Sequence, residues 1–158
     1  MAWDARDFAV FGAMLAAAGI AYVLAARRTG NTAYRGGAAV ALAAAFVLIW
    51  VNGAVGIIGN ESNDANVMFV GVLGVGLAGS VIARFRPQGM ARTLCAMAAA
   101  QVLVAAIALV GKLGAAGPAW PRDLLFATVF FSAMWLVAAR LFLGAARDKV
   151  LTGAQPGN

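Results

Sequence analysis

The chain has 158 residues, 63% of them apolar, 11% charged and none histidine, with twelve bases against six acids for a formal charge of +6. Soluble domains are roughly 45–50% apolar and 25% charged. The roughly 100 apolar residues here, at about 20 per bilayer-spanning helix, make five spans and leave no length for a separate soluble catalytic domain.

The first apolar run, 8–26, follows Trp3-Asp4-Ala5-Arg6-Asp7 and precedes Arg27-Arg28. A cleavable signal peptide carries its bases ahead of the apolar core, so this pattern predicts a retained helix with its N-terminus outward. The second run spans 38–59. A polar connection, 60–66, leads to the third run at 67–83, whose N-terminus Asn63, Asp64 or Asn66 can cap. The fourth, 91–111, carries the single Cys95 and an inward candidate, Gln101. Pro118, Pro121 and Asp123 precede the fifth, 124–143, with proline at the first turn and acid at the positive end of the helix dipole.

Each run is long enough, at about 26–33 Å as helix, to match a hydrocarbon core of about 30 Å. The runs are continuous rather than alternating, which excludes barrel strands. The expected fold is all-α: a polytopic membrane helical bundle forming one domain over 1–149, followed by a flexible polar tail at 150–158. Trp3, Trp120, Tyr22 and Tyr34 fall near the expected interfaces, as an aromatic belt requires. Trp50 and Trp135 fall deeper, as packing residues.

Charge placement predicts the threading. The first and third connections and the C-terminal segment hold nine bases (Arg27, Arg28, Arg35, Arg84, Arg86, Arg92, Arg140, Arg147, Lys149) and one acid, Asp148. The other side holds three bases (Arg6, Lys112, Arg122) and five acids (Asp4, Asp7, Glu61, Asp64, Asp123). The positive-inside rule then puts the N-terminus outside and the C-terminus in the cytoplasm. Helix dipoles alone would not place Arg35 and Arg92 at N-termini. A sequence pI near 10.8 would suggest nucleic acid in a soluble chain, but bases at the ends of apolar runs point to a lipid bilayer as partner and to no nucleic acid.

The segment around the second connection concentrates the unusual residues. On a continuous helix, Asn52, Gly53, Gly56, Gly59 and Asn60 would share one small, amide-bearing face. Gly71, Gly74 and Ala78 would form a narrow stripe on the third helix. Without a hydrophobic drive in lipid, such faces promote close helix packing, so a tight hairpin of the second and third helices is expected. The outer connection offers Glu61, Asn63, Asp64 and Asn66 as candidate loop residues; capping and turn formation explain them better than a Ca²⁺ site, which takes more acids.

The run Val51-Asn52-Gly53-Ala54-Val55-Gly56-Ile57-Ile58-Gly59-Asn60, with Asn63-Asp64-Ala65-Asn66 and Arg84-Phe85-Arg86-Pro87, resembles small bacterial inner-membrane proteins. The resemblance covers about a third of the chain. It implies a bacterial source and brings no activity, ligand or catalytic residue.

The rest is defined by missing chemistry. No ionisable residue falls at expected mid-bilayer depth, which excludes a proton relay or a central carboxylate. Serine nucleophiles would lack a base at depth, and no metal or cofactor ligand set is present. The neutral polar residues at depth are Asn52, Gln101, Ser80, Thr128 and Ser132. The expected function is a non-enzymatic accessory or structural subunit that assembles with itself or with other membrane subunits. The alternative is a channel or carrier for a neutral solute, lined by the second-helix stripe and Gln101.

Overall fold

The computed structural model describes residues 5–153, with side chains from Phe8 onward. Trp3, Asp4 and residues 154–158 lie outside the described part. Five α-helices follow one another: α1 (Ala5–Arg27), α2 (Thr32–Ala54), α3 (Met68–Ile82), α4 (Pro87–Val110) and α5 (Arg122–Gly153), with a 3₁₀ turn at Asp64–Val67 before α3. Among the described residues there is no strand. All five helical segments, α3 taken with its 3₁₀ turn, are long and apolar enough to cross a bilayer.

The helices pack in the order α1–α2–α5–α4–α3, with α5 in the middle against both α2 and α4. The sequence of α5 explains this. Leu124, Ala127, Phe131, Trp135, Ala138, Phe142 and Ala145 recur at three- and four-residue steps and are buried, giving one continuous stripe. The facing stripe of α4 is built from Ala91, Leu94, Ala98, Ala105 and Ala108. The alanines in both stripes leave room for the two helices to pack closely.

On the α2 side the fit depends on Gly37. A Cβ at this position would lie 2.9 Å from the Phe142 ring, which is fully buried and meets the Tyr34 ring edge-on at 4.9 Å. Gly37→Val is therefore expected to destabilise the fold by about 1–3 kcal/mol through overpacking, whereas Gly36→Val, beside a looser contact at 3.6 Å, should cost less. Denaturant titration of the purified protein compares the two.

Three boundaries differ from expectation by five residues or more. Helix α2 starts six residues before 38, because the Asn31 side chain caps it by accepting from the Tyr34 N–H at 2.9 Å. It also stops at Ala54 rather than 59, where the chain turns into a glycine at φ 68°, Gly56. Helix α5 continues to Gly153, so 150–153 of the expected flexible tail is helical; Asn31 Nδ2 donates to Asp148 Oδ2 at 2.9 Å and secures this last part.

The expected hairpin of α2 and α3 is not found: α3 packs on α4, and α2 hardly touches it. The reason lies on α3 itself. On the face toward α4, the buried Gly76 and the half-buried Gly79 lie under Met97 and Thr93, while Gly71 and Gly74 point into open space.

Candidate functional site

The two ends of the bundle differ in chemistry. At one, which we call the asparagine end, α2 and α4 stop and α3 and α5 start. The opposite, basic end carries Arg28, Arg35, Arg84, Arg86 and Lys149.

At the asparagine end the α2–α3 connection is organised around Asn66, which is 6% exposed. Its Oδ1 accepts from the buried Ile58 N–H at 2.9 Å, and its Nδ2 donates to the Asn60 carbonyl at 2.7 Å. Its own carbonyl accepts from Asn52 Nδ2 at 3.1 Å. One amide thus satisfies backbone groups of a connection that has no ladder of its own. Asn63 caps the 3₁₀ turn by accepting from Ala65 N–H at 3.0 Å and donates to the Leu113 carbonyl of the α4–α5 connection. Asn60 Oδ1 accepts from the Ser62 N–H and hydroxyl.

Glycines let the two connections meet. A Cβ on Gly59 (φ 80°) would lie 3.0 Å from Gly114 Cα, and one on Gly117 would lie 2.7 Å from the Gly59 carbonyl oxygen. Backbone therefore stacks directly on backbone, with Trp120 against Gly114. Gly114 and Gly117 were not singled out from the sequence, because nothing in a glycine's own neighbourhood announces a contact about 55 residues away.

The proposed stripe is divided by this geometry. Asn52 and Gly53 lie in the last turn of α2; Gly56, Gly59 and Asn60 lie beyond its end, in the turn. They do not share a helix face. The amides of Asn60, Asn63 and Asn66 are engaged in closing the turn, Glu61 and Asp64 are exposed, and no cluster able to hold a metal ion occurs among the described residues.

Gln101 is apart from these. It lies nine residues from the α4 terminus at Val110, about 14 Å along the helix, whereas Asn52 is two residues, about 3 Å, from the end of α2. Asn52 is thus an end residue, not a partner of Gln101 at mid-depth. Gln101 is fully buried, and neither its Oε1 nor its Nε2 has a hydrogen-bond partner; the same holds for Ser132 Oγ and Trp135 Nε1. Ser132 lies ten residues into α5, about 15 Å along it. Ser80 and Thr128 instead donate to carbonyls of their own helices, Gly76 and Leu124, both at 2.7 Å.

The apolar exterior is the third component. Leu77, Ile82, Phe126 and Val129 are among many large apolar side chains left uncovered. The chain matches no protein-family model, and comparison with curated proteins and with solved structures returns no match.

Proposed function

We propose that this chain is a five-span protein of the bacterial inner membrane, N-terminus outside and C-terminus cytoplasmic, acting as a self-associating or accessory subunit of a membrane assembly. The observation that carries the assembly reading is the state of the edge helices. Gly12 and Gly19 on α1, and Gly71 and Gly74 on α3, have nothing within 4 Å of where a Cβ would stand. These small faces point away from the bundle at both ends of the row, and such faces admit close approach of a second helix in lipid.

The paired variant Gly71→Ile, Gly74→Ile should lower self-association or partner capture in bilayers at least tenfold, read by energy transfer between labelled copies and by crosslinking. Its unfolding midpoint should stay near that of the unaltered chain, because neither side chain meets a neighbour in the fold. Unchanged association for this pair and for Gly12→Ile, Gly19→Ile would remove the reading.

A second reading, passage of a neutral solute, is favoured by one observation: the buried, unpartnered amide of Gln101. Burying an unpaired amide costs about 1–3 kcal/mol in proteins, so Gln101→Leu should stabilise the bundle. If the amide serves transport, the same change abolishes uptake of small polar solutes by reconstituted vesicles.

A further inference from the structure

At the basic end a cavity of about 650 Å³ opens between the C-terminus of α1, the N-termini of α2 and α4, and the last turns of α5. Its polar lining includes Arg28, Thr29, Asn31, Tyr34, Asp148 and Lys149. We propose that it binds the phosphate group of an acidic membrane lipid.

Its construction supports an anion. Arg28 and Lys149 form no ion pair; among the described residues the only pair is Arg122 with Asp123, at the other end of the bundle. Two helix N-termini and two helix C-termini meet here, so their dipoles offset one another and the two cations set the sign of the site. Thr29 Oγ1 accepts from the Asn31 N–H at 3.1 Å, which leaves the hydroxyl proton free to donate. A guanidinium, an ammonium and a hydroxyl are the donors a phosphate takes.

The lining is held in place rather than loosely assembled. Arg28 Cζ stands 5.5 Å from the centre of the Phe85 ring, and the Tyr34 hydroxyl donates to the Phe85 carbonyl at 2.8 Å. That contact pins a connection in which Arg84 and Phe85 both have positive φ, 50° and 57°. Arg35 is occupied elsewhere: it donates to the Thr29 and Ala26 carbonyls at the end of α1. The one acid in the lining, Asp148, is engaged by Asn31 Nδ2.

Depth points to lipid as the source. Ala145 in the cavity wall lies 23 residues into α5, about 35 Å from Arg122. That is just past a hydrocarbon core of about 30 Å, in the headgroup layer. This step rests on the membrane reading above; the anion site itself does not.

The test uses the full chain purified in neutral detergent, titrated with dioleoyl phosphatidic acid, with dioleoyl phosphatidylcholine and with glycerol 3-phosphate, and read by native mass spectrometry and thermal shift. Phosphatidic acid should bind at least tenfold more tightly than phosphatidylcholine. Arg28→Gln and Lys149→Gln should each weaken it at least fivefold, Arg92→Gln and Arg122→Gln less than twofold, and Asp148→Asn should tighten it by removing a like charge while keeping an acceptor for Asn31. If glycerol 3-phosphate binds and phosphatidic acid gains nothing over it, the anion site stands and the lipid source fails, and with it the proposal as stated. Equal losses from all four basic substitutions would mean general charge attraction and would overturn it.

Discussion

Gly56→Ala should lower the stability of the folded chain by about 3 kcal/mol or more. Two costs combine. Gly56 sits at φ 68°, where a side chain costs roughly 1–2 kcal/mol. A Cβ there would also lie 2.2 Å from the Asn60 carbonyl oxygen, a backbone atom that cannot turn aside and that already accepts from Asn66 Nδ2. Gly53, three residues earlier, gives the contrast. It is helical and open around its Cβ position, so Gly53→Ala should be neutral or stabilising by up to about 1 kcal/mol, the helix preference for alanine. Opposite signs for two neighbouring glycines, measured by reversible unfolding in mixed detergent, would separate a turn glycine from a packing stripe.

Asn66→Leu is the second large effect, a loss of about 3–5 kcal/mol. Leucine keeps the volume but leaves the Ile58 N–H and the Asn60 carbonyl without their partner, and each unsatisfied buried group costs about 1–3 kcal/mol. Asn60→Ala removes only contacts to exposed Ser62 and should stay within about 0.5–1 kcal/mol, as solvated substitutions do. If the two asparagines cost the same, the turn is not organised around Asn66.

Much of the helical layout was legible because hydropathy is additive along a run. The segments expected at 8–26, 67–83, 91–111 and 124–143 each fall on a helix of the structure within a few residues at the better-defined end. The second was misplaced for a specific reason. Ile57 and Ile58 keep the run apolar beyond Ala54 and are buried in the turn, so hydropathy cannot distinguish a buried turn from another helical turn; positive-φ glycines end the helix without a polar residue to mark it. Helix order was not legible either. Short connections imply antiparallel neighbours, yet α3 goes to α4 and α2 to α5, a choice made by which glycine face of α3 fits Met97 and Thr93. Asn66 was legible as a polar loop residue but not as the organiser of the loop, since three chemically similar asparagines lie within seven residues. The cavity at the basic end was invisible in sequence, because its lining is assembled from the ends of four helices.

Threading of the five helices through a bilayer is tested most directly by site-specific labelling. In a Cys95→Ser background, Glu61→Cys reports the asparagine end and Val150→Cys the basic end; both positions are exposed. In intact bacterial cells a membrane-impermeant maleimide should modify Glu61→Cys at once and Val150→Cys only after permeabilisation. Modification of both from the same side, or release of the chain from membranes by alkaline carbonate, would contradict the account.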